Sequence, residues 1–424
     1  MALTVVKIRS RGGRAVLCAA AIAVLLGVLV SAKWNFANAL STRAELKEIA
    51  DLAAALAPSD PQTRFAAAAV YGKTFEPEDQ IRSLAEYERV AALSPNNFLC
   101  WLELGRARER TGDATGAELA LKRALDLAPN YAEVNWAYGN ALLRAGKIDE
   151  GFRYISLAAE SNAIFTGPSV VTAMEILGGD IGAVQQRLPE TPSVNAALAV
   201  YLARQKRFDD AAAVWRRISA EIQRSVSKEQ GVQIAAIFLA ANRFRLAAGV
   251  NADLSDAQAG KTETGKIFDG GFESGVKLRG AGSFEWQIAE GTQPQIAISR
   301  TQKHGGESSL LIAFNTTQTS EFRPVSQTVA VEPAATYEME FYYRSELKTG
   351  FSVRWEIANA NDNAVIAISE PVLANSDWAT IRTKFTVPAA SDGVIIRLVR
   401  DRCPSTVCPM NGSLWLDDVS IKKL

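Results

Sequence analysis

The side chains whose type and spacing suit chemistry lie mostly toward the C-terminal end. In TYEMEFYYR (336–344), alternation places Glu338, Glu340, Tyr342 and Arg344 on one face of a strand. Tyr337, Met339, Phe341 and Tyr343 fall on the other. In FSVRWEI (351–357), Ser352, Arg354 and Glu356 separate in the same way from Phe351, Val353, Trp355 and Ile357. The apolar sets read as core. The polar sets, joined by Arg382, Lys384 and Arg397, read as one binding face, where charged groups grip hydroxyls and Tyr342 offers a ring for stacking. Glu340 and Glu356, if brought together, would imitate a glycosidase acid–base pair, but no cleft-forming domain surrounds them. Trp286 is the other aromatic candidate, although a lone Trp is more often core.

Other chemistries are poorly supplied. His304 is the single histidine, so a Ser-His-Asp triad or a His-ligated metal would have to be built around it alone. Arg11-Gly12-Gly13 and Gly178-Gly179 match no phosphate loop, and no nucleophile elbow is present. Lys plus Arg and Asp plus Glu both total 46, which leaves no global field favouring nucleic acid. Cys403 and Cys408 flank PSTV and would close a small disulfide loop in an oxidising compartment. Cys18 and Cys100 are expected to stay unpaired. The chain reads as non-catalytic.

The elements that would position these residues differ between the two halves. Beyond a Gly-, Thr- and Asp-rich linker (255–266), strand-like alternation recurs at 336–344, 351–357, 378–387, 393–399 and 413–421. This pattern implies an all-β sandwich over 267–424 with eight or nine antiparallel strands. Four stretches occur in order: FDGGFESG (268–275) with Trp286 following, HGGESSLLIAF (304–314), Trp378 with Phe385-Thr386-Val387-Pro388, and GSLWLDDVSI (412–421). Together they resemble the jelly-roll carbohydrate-binding modules of families 4 and 9.

That resemblance implies glycan binding, with Tyr342, Arg354, Glu356, Arg397 and Trp286 as the candidate residues. It also implies that the ends of the module meet around a structural Ca²⁺, with Glu273 and Asp418 as carboxylate ligands and carbonyls from the 304–308 turn. The alternative is a plain turn in which Asp417 and Asp418 accept backbone amides. The expected face is richer in charge than in aromatics, which leaves room for an acidic polysaccharide or a protein ligand.

Upstream, WLELGRARERTGDATGAELALKRALDLAP (101–129) holds Trp101, Leu104, Gly105, Ala117, Leu121, Ala124 and Pro129. This spacing resembles the tetratricopeptide (TPR) repeat, a helix pair recurring every 34 residues. Pro95 and Pro129, Asn96 and Asn130, and Gly105 and Gly139 keep that offset. The expectation is a TPR-like solenoid over 61–254, whose concave groove holds a peptide or protein partner. Asn135, Glu103, Arg106 and Arg144 are candidates to face it.

Residues 1–14 carry Lys7, Arg9, Arg11 and Arg14 and no acid, and 15–32 form an uncharged apolar run. The run exceeds a usual signal-peptide core and just reaches bilayer-spanning length, so a retained signal-anchor is expected. A juxtamembrane segment (33–60) follows, with a helix from Ser41 to Ala57. The positive-inside rule leaves the N-terminus cytoplasmic. The composite reading is a single-pass bacterial inner-membrane scaffold with its bulk in the periplasm, recruiting a protein and binding a polysaccharide, reminiscent of exopolysaccharide assembly or export. The alternative is a purely protein–protein scaffold, and the third reading is a glycoside hydrolase.

Overall fold

The computed structural model describes residues 10–74, 76–255, 260–318 and 321–424. Lys7 and Arg9 of the basic segment, and linker residues 256–259, lie outside them. The chain divides into two compact units, Met1–Glu190 and Thr191–Leu424.

The first unit is helical. Helix α1 (Arg11–Ser41) begins where Ser10 accepts a hydrogen bond from the Gly13 N–H. Its 31 residues correspond to about 47 Å at 1.5 Å per residue. It is long and apolar enough to cross a membrane, and its side chains from Val16 to Val30 are exposed. The surplus length has another use. Trp34 Nε1 donates to Asp60 Oδ2 at 2.8 Å, and Asn38 donates to the same oxygen at 3.2 Å. These bonds hold the end of α1 beside α2 (Lys47–Leu56) and α3 (Pro61–Gly72). The helix expected from Ser41 to Ala57 is thus corrected. Ser41 Oγ donates back to the Asn38 carbonyl instead of capping a new helix, so α1 runs through it and the chain breaks at 42–46.

Antiparallel pairs then follow: α3 with α4 (Pro77–Leu93), α5 (Phe98–Arg110) with α6 (Ala114–Leu127), and α7 (Ala132–Arg144) with α8 (Ile148–Ser161). Shorter α9 (Thr166–Ile176) and α10 (Ile181–Arg187) close the unit. Local chemistry sets the starts. Asn97, Asp113 and Asp180 cap α5, α6 and α10, and proline opens α3 and α4.

The 34-residue period has a packing cause. A Cβ on Gly105 would lie 2.5 Å from Leu121 Cγ, and one on Gly139 would lie 3.0 Å from the Gly151 carbonyl oxygen and the Ile155 nitrogen. Glycine lets each pair close. We expect Gly139→Val to destabilise this unit by about 1–3 kcal/mol, because its opposing atoms are backbone and cannot rotate away. Chemical denaturation monitored by circular dichroism checks this, and a loss below about 0.5 kcal/mol would contradict it. Asn135 does not face a groove. It is 1% exposed and donates to the carbonyls of Pro129 and Tyr131. Arg106 is held by Glu103 and Glu133.

The second unit opens with α11 (Pro192–Arg204), capped by Thr191, then α12 (Phe208–Trp215), α13 (Ala220–Arg224), α14 (Lys228–Ala240) and α15 (Phe244–Leu254). Trp215 is fully buried and donates to Asp253 at 3.1 Å. The rest is a sandwich of β1 (Gln287–Ile288), β2 (Gln295–Ser299), β3 (Ser309–Gln318), β4 (Val325–Ala330), β5 (Thr336–Lys348), β6 (Val353–Asn359), β7 (Val365–Ile368), β8 (Asn375–Thr386), β9 (Gly393–Arg400) and β10 (Val407–Lys423). Every pairing is antiparallel. One sheet has the order β1-β4-β9-β6-β7 and the other β2-β3-β10-β5-β8. The described residues thus hold ten strands against the eight or nine expected. The short β1 and β7 lie at edges of the first sheet, where there is too little alternation to read. The core includes Trp355, Phe341, Tyr337 and Leu416, from the predicted apolar faces.

Candidate functional site

Register decides which outward side chains share a surface. Tyr342 is on β5, in the second sheet, whereas Arg354 and Glu356 on β6 and Arg397 on β9 belong to the first. The single binding face expected from alternation is therefore two faces on opposite sides of the sandwich. Alternation separates inside from outside within a strand, but it does not assign the strand to a sheet.

On the first sheet, Arg397 sits opposite Glu356 and pairs with it, and Arg354 pairs with Asp401. Their row continues through Ser326 on β4 and Ile368 on β7. These positions offer charge pairs and aliphatic groups but no ring. Glu340 lies on the other sheet, bonded to Arg382 at 2.8 Å, so it cannot form an acid–base pair with Glu356.

The second sheet carries the rings. Trp415 on β10 is flanked in register by Arg344 on β5 and Leu311 on β3. Tyr342 lies two residues from Arg344 on the same face, opposite Thr380 on β8. His304, from the loop before β3, lies parallel over Tyr342 with ring centroids 3.8 Å apart and an interplanar angle of 13°. Trp378 approaches His304 at 5.7 Å. Arg344 bonds Asp377 at 2.8 Å. The result is a half-exposed row of His304, Tyr342, Trp378 and Trp415, bordered by cross-strand ion pairs. Rings of this kind accept the apolar face of a pyranose, and the bordering charges meet its hydroxyls. Trp378, Trp415 and His304 were not among the expected binding residues. Trp415 was legible, since it alternates with Leu414 and Leu416, which point inward.

Trp286 is corrected from candidate ligand to core. It is 2% exposed, stacks on Phe272 at 5.1 Å and donates its ring N–H to the Asp269 carbonyl. Cys403 and Cys408 are joined as a disulfide, with Cα atoms 6.4 Å apart.

The ends of the module meet as a turn built on carboxylates. Asp417 Oδ2 accepts from the His304 and Gly305 amides at 2.8 and 3.1 Å, and its Oδ1 accepts from the Asp418 amide. Glu273 Oε1 accepts from the Glu307 and Ser308 amides. Asp418 Oδ2 lies 2.7 Å from His304 Nδ1, so this contact holds the imidazole over Tyr342. A Ca²⁺ needs six to eight oxygen ligands, but here Asp417 and Glu273 face N–H donors instead of further oxygens. Among the described residues, no group of three or more His, Cys, Asp or Glu is arranged to hold a metal. Burial pushes the Asp417 carboxyl above the usual aspartate range, against the pull of its amide donors.

Residues 264–402 match the family model described as a carbohydrate binding domain. The resemblance carried by the 268–275, 304–314 and 378–388 stretches therefore stands. Among solved structures, a CBM4 module aligns over 37% of this chain and 99% of its own, at 16% identity and a TM-score of 0.28. TmCBM61, solved in complex with beta-1,4-galactotriose, aligns over 37% and 96%, at 15% identity and a TM-score of 0.27. A curated relative, the BBSome complex member bbs-4 of Caenorhabditis elegans, is 37% identical over 112 residues. That match takes in 25% of this chain and 23% of the relative, so the chain spans about a quarter of the relative's length.

Proposed function

We propose that this protein is a non-catalytic, membrane-anchored scaffold that binds a glycan through the sandwich and a protein partner through the helix pairs. The observation that carries the glycan reading is the row of rings on the second sheet, within a domain that matches a carbohydrate-binding family. Stacking rings bordered by paired charges suit a saccharide better than a flat protein surface, since each hydroxyl finds a donor or acceptor. The helix pairs make the partner a protein by analogy with repeat scaffolds. Envelope or exopolysaccharide assembly is the setting this combination suits.

Retention of α1 in an inner membrane, N-terminus cytoplasmic, is part of the same proposal. Its support is Asp60, which is 6% exposed and accepts from both Trp34 and Asn38. Cleavage after Ala39, the second of the small-residue sites at 30–32 and 37–39, would remove both of these donors and leave Asp60 only the Gln62 amide, whereas cleavage after Ala32 would spare them. A structural Ca²⁺ on Glu273 and Asp418 belongs to this reading only if the 304–308 turn exchanges its N–H donors for carbonyls.

The test is a glycan-array measurement on the full chain in detergent, with added calcium and with chelator. Saturable binding to at least one polysaccharide is the expected result. Binding lost in chelator would add the Ca²⁺, and binding unchanged would remove it. Absence of binding across neutral and acidic glycans would leave the purely protein–protein scaffold.

A further inference from the structure

A polar cavity lies within the Thr191–Leu424 unit, away from the row of rings on the second sheet. It has a volume of about 690 Å³ and runs between α12 and α15 on one side and the 389–392 loop with Thr264 and Pro333 on the other. Ligand sites favour such junctions, and this volume falls in their usual range.

Its walls are held together by side chains the glycan site does not use. Asp392, from the loop before β9, accepts from the Phe244 amide at 2.9 Å and the Arg245 amide at 3.2 Å. It therefore caps α15, which has no side-chain cap from its own segment. Next to it, a Cβ on Gly393 would come within 2.3 Å of the Phe244 ring. Loop and helix are thus fitted closely, and the cavity between them is preformed.

The chemistry of the lining is uneven. Both Asp392 oxygens are taken by the helix amides, and Asp253 accepts from the Trp215 ring N–H. Burial raises the Asp253 carboxyl above its ordinary range. The arginines are less committed. Among the described residues none of the three forms a direct ion pair: Arg243 rests over the Phe208 ring at 5.6 Å, Arg216 donates to the Ala212 carbonyl with Asp253 nearby, and the charge of Arg245 is felt by Glu332. Asn242 and Asp209 add an exposed amide and carboxylate, with Leu246 and Pro333 as apolar wall, while the Ser391 hydroxyl is turned to its own loop and donates to the Gly393 carbonyl.

We propose that this cavity binds a uronic-acid unit of an acidic saccharide, its carboxylate received by Arg243 and Arg245 and its hydroxyls by Asn242 and Asp209. Guanidinium forks match a planar carboxylate bidentately, which selects a carboxylated sugar over a neutral one. The proposal extends the glycan reading to a second site and is separable from it.

The test uses the full chain in detergent and isothermal titration with trimers of galacturonate, glucuronate and mannuronate, each beside its neutral methyl ester. At least one acid trimer is expected to bind, and its ester at least about ten-fold more weakly. Arg243→Gln/Arg245→Gln should lose about ten-fold or more for that trimer while leaving array binding at the sheet face unchanged; both side chains are exposed, so folding is not at issue. Equal binding of acid and ester, unchanged binding in the double variant, or no binding of any trimer overturns the proposal. Loss of trimer binding in Trp378→Ala would assign it to the sheet face and overturn it equally. Failure here with array binding intact leaves the glycan reading standing.

Discussion

Replacing Asp417 with alanine is expected to destabilise the Thr191–Leu424 unit by about 3–5 kcal/mol, because three backbone amides lose their only side-chain acceptor in a fully buried position. Few contacts in the sandwich join so many parts of the chain. Asp417 fixes the 304–305 turn and the start of the bulge in β10, where Asp418 has a positive φ of 47°. One residue further, the Val419 amide donates to the Gly270 carbonyl, and a Cβ on Gly270 would lie 1.9 Å from the Val419 oxygen. The opening FDGGFESG stretch, the His304 turn and the last strand are therefore one knot. Asp417→Asn keeps the size and one oxygen acceptor, as the protonated carboxyl does, so it should cost less than the alanine variant.

Unfolding in guanidinium, followed by tryptophan fluorescence, measures the loss; a change under 1 kcal/mol would show that water satisfies the three amides. The pH dependence has a defined sign. Because burial raises the folded carboxyl above its unfolded value, the native state binds the proton more tightly. The contribution of Asp417 is then fullest below the unfolded pKa and declines as pH rises through the folded one. The stability gap between wild type and Asp417→Ala should narrow, not widen, between about pH 3 and pH 7.

The second large effect is on binding. Trp378→Ala and Trp415→Ala are each expected to weaken polysaccharide binding by about ten- to a hundred-fold, or about 1.4–2.8 kcal/mol, the range of a buried aromatic anchor. Both rings project from strands whose core-facing neighbours are independent of them, so the fold should survive. Arg354→Ala on the other sheet should change affinity by less than two-fold, since Arg354 is occupied by Asp401 and has no ring beside it. His304→Ala is the less clean variant, because His304 also supplies its amide to Asp417 and its imidazole to Asp418. Isothermal titration with a polysaccharide found on the array decides the matter. If Arg354→Ala abolished binding while both tryptophan variants bound normally, the site would belong to the first sheet.

Much of this architecture was determined by the sequence alone. The 34-residue recurrence of Gly105 and Gly139 reports a steric limit that operates wherever two helices touch, so it survives in one dimension. Alternation along 336–344 and 413–421 likewise marks the inward side chains, because each β-strand has only two faces. Cys403 and Cys408 are close in sequence, so their pairing was also within reach. What the tertiary structure decided was the grouping of the outward side chains. Tyr342 and Arg354 look alike along the chain, and only the strand order β3-β10-β5-β8 against β4-β9-β6 places them on opposite surfaces. The same holds for Trp286, whose partners Phe272 and Trp355 lie far apart in sequence. His304 stacks on Tyr342 because a carboxylate at position 418 aims it there. Contacts between distant segments depend on register and strand order, which local periodicity does not encode.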